Sequence, residues 1–444
     1  MGTNRRDFIK NSSALATGLG ISSLVSGKAK DMISGSAVST VNLGVIGVGM
    51  GCRDLQGALT GNPWVHCIAM CDVNRQRLEE QAASFKKNFP DQTTNMQLYG
   101  DFRKLLENKD INGVIIATPD HWHTYIFAEA LKAGKAIYVE KPVANSIEEC
   151  NLMMDLQKKY KGIVTTGLWQ TSLRYFRAAN EILRSGVLGD VYKVQAWLCQ
   201  GTDPRPVVDN TPVPDYVDYE MWLGPSPSRP FNQSRFRSWR SFWDYGGGQQ
   251  TDWGVHWIDS AFDGLKALGI EREYPKAVFS TAYKHPKTFN ETPSCQTTIF
   301  QFDHFHLEWS QQVANLYNRN QGVAWVGSKA TLVCNREGYE LIPEKNKEGI
   351  PVTDRAQLTG KFEDGGIEAH ATNWCACIRD QSGNTNSPIE KGAFATILAH
   401  MGNISYRTGT RVVYDPAKRK FVDNPLADGF LKKEYRSPWK LPVI

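Results

Sequence analysis

At 444 residues the chain exceeds the usual reach of one hydrophobic core, so more than one domain is expected. Apolar residues make up 41% and charged residues 22%, ordinary for a soluble globular enzyme. A formal charge of +5 is small for this length and argues against nucleic-acid binding, which needs basic residues clustered on one face.

The first residues read as an address. Asn4-Arg5-Arg6-Asp7-Phe8-Ile9-Lys10 precedes a mild apolar stretch, Ala14 to Val25, in the manner of a twin-arginine export signal. Residues 1–35 are therefore set apart from the fold, and a periplasmic location is expected. Beyond them no apolar run approaches the roughly 18–20 residues that span a bilayer. Twin-arginine export moves folded proteins, so a cofactor-dependent enzyme on this route would carry its cofactor with it. It would then have to regenerate that cofactor in place.

Residues 41–140 alternate apolar strands with helix-length segments, the pattern of a doubly wound parallel sheet. The first strand, Val41 to Ile46, runs into Gly47-Val48-Gly49-Met50-Gly51-Cys52-Arg53 and a helix from near Asp54. Glycine permits the tight turn and the close approach of backbone to a pyrophosphate, and the helix N-terminus offers free N–H groups. The usual third glycine position is Cys52, with Gly51 one place early. The second strand, Trp64 to Cys71, ends in Asp72, twenty-five residues after Gly47. A carboxylate there accepts from adenosine ribose hydroxyls and repels a 2′-phosphate, favouring NAD; nearby Arg75 keeps NADP open. Strands at Gly113 to Ala117 and Ala136 to Glu140 end in Thr118-Pro119-Asp120-His121-Trp122-His123 and Glu140-Lys141-Pro142. Thr118, Pro119, His123, Glu140 and Lys141 join Gly47, Gly49, Met50, Gly51 and Asp72 as cofactor-site candidates, because ligands bind beyond the carboxyl ends of such strands. The nine cysteines include no CxxC pair, so no metal site is expected. Cys67 and Cys71 lie about 13 Å apart on one strand, too far for a disulfide.

A strand at Val191 to Leu198 leads into an irregular segment, 200–245, longer than ordinary loops. It carries Trp222, Phe231, Phe236, Trp239, Phe242, Trp243 and Tyr245, with Arg205, Arg229, Arg235, Arg237 and Arg240. Substrate contact, core packing and a subunit interface all fit this composition. Residues 251–268 lack proline and space their apolar side chains as a helix, which puts Asp252, His256 and Asp259 on one face. Strands follow at 276–283, 296–302, 306–312, 322–326, 330–333 and 339–342, then helices at 370–380 and 392–407. His370 is read as a solvent-facing cap.

The glycine turn at 47–51, Asp72, Ala117-Thr118-Pro119, Glu140-Lys141-Pro142 and the stretch Gly246 to Asp259 together resemble the glucose-fructose oxidoreductase / inositol dehydrogenase / MocA family. The resemblance implies a Rossmann-type domain at 40–167, an α+β domain with a large, mostly antiparallel sheet at 168–420, and a C-terminal tail at 421–444. It implies that Lys141 sits beside the nicotinamide and the substrate hydroxyl, with Asp252 and His256 holding the substrate and moving its proton. Gln170, Tyr245 and Asp259 complete the candidate substrate contacts. Many relatives have an arginine near Thr171; here the segment reads Trp169-Gln170-Thr171-Ser172, so that contact does not carry over.

These residue types suit alcohol oxidation. A histidine takes the hydroxyl proton near neutral pH, Asp252 or Asp259 fixes its tautomer, and an ammonium stabilises the developing alkoxide. The expected activity is NAD(P)-dependent hydride transfer at a secondary hydroxyl of a sugar, glycoside or polyol, in a homo-oligomer. The alternative is NAD-dependent glycoside cleavage through transient oxidation and elimination. Retention of Lys141, Asp252 and His256 argues against a binding module without catalysis.

Overall fold

A short apolar strand followed by a helix recurs through the first half of the chain. The computed structural model describes residues 39–199, 208–312, 320–361 and 365–444. In order come β1 (Val41–Ile46), α1 (Gly51–Leu59), β2 (Val65–Cys71), α2 (Arg75–Asn88), β3 (Gln97–Tyr99), α3 (Phe102–Glu107), β4 (Gly113–Ile116), α4 (Asp120–Lys132), β5 (Ala136–Val139), α5 (Ile147–Tyr160) and β6 (Val164–Thr166). All six strands are parallel, in the order β3-β2-β1-β4-β5-β6. β4 and β5 are buried at every position, as strands covered by helices on both faces must be. The order reverses between β1 and β4, and a crevice opens there beyond the strand ends.

The second half begins with α6 (Arg174–Arg184) and β7 (Val191–Leu198). The described part of the long segment holds the short helices α7 (Tyr219–Leu223) and α8 (Gln233–Arg237) and a 3₁₀ turn at Trp239–Ser241. Arg205 lies outside the described residues, as do residues 1–35. Next come α9 (Gly248–Asp252), α10 (Gly254–Ala267), β8 (Ala277–Tyr283), β9 (Cys295–Gln301), β10 (His306–Gln311), β11 (Gln321–Gly327), β12 (Ala330–Asn335), β13 (Gly338–Pro343), β14 (Ala356–Thr359), α11 (Gly366–Arg379) and α12 (Ile389–Thr408). Eight strands form one sheet, β14-β13-β12-β11-β7-β10-β9-β8, with β7 parallel to β10 and the other neighbours antiparallel. Alternating burial along β9 and β10 marks one face as the core side. α10 and α12 cover it: Trp325 Nε1 donates to the Ala261 carbonyl at 3.1 Å, and Ser280 N–H donates to Ser405 Oγ at 3.0 Å.

Two sequence expectations change. The helix over 251–268 breaks at Trp253. In a continuous helix the Asp252 carbonyl would accept from His256 N–H; instead it accepts from Lys141 Nζ at 2.8 Å, and His256 N–H donates to Trp253 O at 3.1 Å. His370 is fully buried rather than solvent-facing. Its Nε2 lies 2.9 Å from Thr166 O and its Nδ1 3.0 Å from Ser172 Oγ, so it ties α11 to the end of β6.

Candidate active site

The turn after β1 is shaped for close backbone approach. Gly47 has φ +91°, and a Cβ there would lie 2.6 Å from Ala117 O and 2.8 Å from Thr118 N. A Cβ on Gly51 would meet Val45 Cγ1 at 2.9 Å and Ala117 Cβ at 3.1 Å. Gly51 therefore permits the tight packing of helix on sheet, which is why Cys52 is tolerated at the next position. Asp72 closes the far side: its Oδ2 accepts from Val48 N–H at 3.0 Å and its Oδ1 from Asn74 N–H at 2.8 Å. A cavity of about 290 Å³ lies between them, lined among others by Gly49, Asp72, Arg77, Thr118 and Pro119. Thr118 Oγ1 is buried without a hydrogen-bond partner among the described residues. The glycine turn, the acid and this orphaned hydroxyl fit a dinucleotide. Met50, at the turn, is partly exposed.

His123 sits deeper than a cofactor contact. Its Nδ1 is 2.8 Å from Pro142 O and its Nε2 2.9 Å from Thr118 O, so it staples the ends of β4 and β5 together. Glu140 keeps one oxygen on Lys141 and the other toward Gly167 and Arg53: its Oε2 accepts from Lys141 N–H at 3.1 Å, and its Oε1 lies 3.5 Å from Arg53 Nη2. Next to it Asp54 is completely buried, and that burial together with the Glu140 charge pushes its carboxyl well up.

Lys141 and Asp252 meet across 111 residues of sequence, Nζ to Oδ1 at 2.5 Å. The same Oδ1 accepts from Arg240 Nε at 3.1 Å. Burial pushes the Asp252 carboxyl up, but the two cations outweigh it and hold it at about 2. Asp120, at the start of α4, is buried beside this group, and desolvation raises it well above the usual carboxylate range against the pull of Arg240. His256 is buried, with Nδ1 unpartnered among the described residues. Burial, reinforced by the positive charges of Lys141, Arg336 and Arg53, holds its imidazole well below the ordinary range. The ring lies edge-on to Trp169, 6.3 Å between centroids. The site thus joins an ammonium, an ionised carboxylate and a neutral imidazole with a free nitrogen, a set able to bind a hydroxyl and accept its proton.

The other candidates face elsewhere. Asp259 pairs with Arg272 at 3.0 Å and Lys391 at 3.4 Å, in a cluster with Asp263; burial raises it to about 6. Gln170 donates to Ser260 Oγ at 2.8 Å and accepts from Arg336 Nε at 2.9 Å. Tyr245 is fully buried in an aromatic cluster, 4.8 Å from Trp222 and 5.3 Å from His121 between ring centroids. Sequence reasoning counted Arg240 only among the loop arginines and overlooked Asp120 and Arg336. Arg336, from the β12–β13 turn, stacks on Trp169 and Trp253 at 4.5 and 4.7 Å, next to the segment that lacks the arginine of relatives.

Residues 41–168 match the model of an oxidoreductase family with an NAD-binding Rossmann fold, and residues 178–283 match that family's C-terminal alpha/beta domain. Together these take in more than half of the chain. A glycosyl hydrolase family 109 protein from Solibacter usitatus is 32% identical over 152 residues, 33% of this chain and 35% of that protein. Inositol 2-dehydrogenase from Salmonella paratyphi B is 26% identical over 152 residues, 34% of this chain and 43% of that enzyme. The chain thus matches less than half the length of either relative. A levoglucosan dehydrogenase, solved with NADH and levoglucosan, superposes with a TM-score of 0.63 at 18% identity over 84% of this chain and 99% of that one, a likeness of fold.

Proposed function

The chain belongs to the Gfo/Idh/MocA oxidoreductase family, and from that premise we propose that it is an NAD-dependent oxidoreductase acting on a secondary hydroxyl of a sugar, glycoside or polyol. The observation that carries this reading is the Lys141–Asp252 contact of 2.5 Å beside a buried imidazole with an unpartnered Nδ1. NAD, when bound, supplies the acceptor for the hydride that leaves the carbinol carbon. The residues that would hold it are the 47–51 turn, Asp72, Thr118 and Pro119. His256 takes the hydroxyl proton: burial and the nearby cations keep its ring neutral, so the ring is in the form that can accept. The Lys141 ammonium donates to the same oxygen as negative charge develops. Asp252 and Arg240 fix the ammonium's position. The stapled loops around His123 keep Lys141 at the crevice.

A second reading, glycoside cleavage through transient oxidation and elimination, is favoured by the likeness to the family 109 glycosyl hydrolase. The division at 40–167 and 168–420, a homo-oligomer, and export on the Arg5-Arg6 signal belong to the same proposal. The test is mass spectrometry of the nicotinamide released from natively purified protein, followed by absorbance of reduced nicotinamide across a panel of glycosides and polyols. A keto product supports the dehydrogenase. Aglycone release without net reduction supports the hydrolase. Protein that neither carries nor binds NAD overturns both.

A further inference from the structure

Of the walls of the cofactor cavity, one is not supplied by the Rossmann half. Met221, Trp222, Phe236 and Arg237, from the segment after β7, line it together with Asp72, Asn74 and Arg77. Backbone docks this segment on the turn that bears Asp72. Arg75 N–H donates to Tyr216 O at 2.9 Å, Asp218 N–H donates to Val73 O at 2.9 Å, and Asn74 and Val217 form an antiparallel bridge. Further along, Trp122 Nε1 donates to Met221 O at 3.0 Å, and His121 Nε2 lies 3.0 Å from Trp222 O. Val73 itself packs into the aromatic cluster of Tyr219, Trp222, Phe231 and Tyr245.

We propose that residues 216–237 are a clasp forming the outer wall of the adenosine subsite, and that they keep the dinucleotide bound through many turnovers; this rests on the NAD-dependent reading above. The chemistry matches the adenosine diphosphate half. Trp222 and Phe236, 5.2 Å apart between centroids, give apolar and aromatic surface for a base, and Arg77 and Arg237 give cations for phosphate. Leaving requires the clasp to release its anchoring contacts with the β2–α2 turn and α4, so escape is slow relative to a crevice open on that side. A dinucleotide so held is regenerated in place. The hydride taken from one alcohol returns to a carbonyl carbon, of the same substrate or of a second one, and the proton taken from its hydroxyl returns to that carbonyl's oxygen, before the next cycle.

The rate of NAD release is the readout, followed on holoenzyme by trapping freed cofactor with an excess of a second dehydrogenase. Phe236→Ala, at a half-buried position, is expected to speed release on the order of tenfold to a hundredfold. A paired variant, Asn74→Cys with Val217→Cys, places thiols across the antiparallel bridge, where the separation suits a disulfide. Its oxidised form is expected to release NAD more slowly than its reduced form. Equal release from the oxidised and reduced forms, or from Phe236→Ala and the parent, overturns the clasp. Free exchange of NAD during sustained turnover likewise overturns the clasp while leaving the oxidoreductase standing; failure to bind NAD at all defeats the underlying reading.

Discussion

Replacing Lys141 with Met keeps the length of the stem and removes the charge. In the parent its Nζ holds Asp252 Oδ1 at 2.5 Å and Asp252 O at 2.8 Å. Losing a donor aimed at a developing oxyanion costs about 2.7–4 kcal/mol in the barrier, on the order of 10²–10³ in kcat. The fold should suffer less. A fully buried pair that loses one partner costs roughly 3–5 kcal/mol, but Asp252 retains Arg240 at 3.1 Å and its side chain is 17% exposed, so about 1–2 kcal/mol is expected. The freed Asp252 carbonyl becomes available to His256 N–H, which would close the break at Trp253. The assay is single-turnover reduction of NAD by a substrate alcohol, with NAD affinity from quenching of tryptophan fluorescence. Turnover should fall at least a hundredfold while NAD affinity changes by no more than about threefold, since Lys141 is not among the residues lining the adenosine cavity. Turnover within about threefold of the parent would refute the assignment of Lys141 to the reacting oxygen.

Three further outcomes follow from the same geometry. Because burial and nearby cations lower the His256 pKa, its base form persists into acid; activity should be lost only as pH falls through that lowered value, and an acid limb of kcat/KM centred at or above about 6.5 would contradict this. Asp72→Asn removes the charge that repels a 2′-phosphate while leaving an oxygen for Val48 N–H or Asn74 N–H, so the preference for NAD over NADP should fall at least about tenfold in competitive binding. Asp259→Asn leaves Arg272 and Lys391 facing Asp263 alone; stability should drop by about 1–3 kcal/mol in denaturant melts with kcat changed by less than about threefold, and a large loss of kcat at full stability would return Asp259 to the substrate.

The parallel sheet was legible because its strands are short apolar runs, and the glycine turn and Asp72 fall at strand ends whatever the second half does. The Cys at position 52 looked like a defect. Gly51 removes it as one, since its missing Cβ admits Val45 and Ala117. The break at Trp253 had only a weak local sign, Gly254 beside it: residues 251–268 lack proline and space their apolar side chains as a helix, and the group that captures the Asp252 carbonyl comes from 111 residues away. Asp259 shows the same limit, because sharing a helix with His256 says nothing of Arg272 and Lys391, which claim it.

Charges are where sequence reading runs out, for a physical reason. Arg53 and Arg336, read locally, are solvated cations with no bearing on an imidazole far along the chain; Lys141 alone is tied to the site, by its strand-end position and the family resemblance. The fold brings all three within electrostatic reach of one buried ring. Their fields add there, and desolvation denies the ring the water that would otherwise screen them. The preference of His256 for its neutral form is therefore set first by burial and then by charges from the end of β5, the start of α1 and the β12–β13 turn. Arg240 acts on the carboxylates instead: it shares an Asp252 oxygen with Lys141 and lies beside Asp120, so the loop that bears it sets the charge of the site as well as its shape. A motif names the residue that reacts, while the protonation state in which it reacts is decided by neighbours that no motif contains.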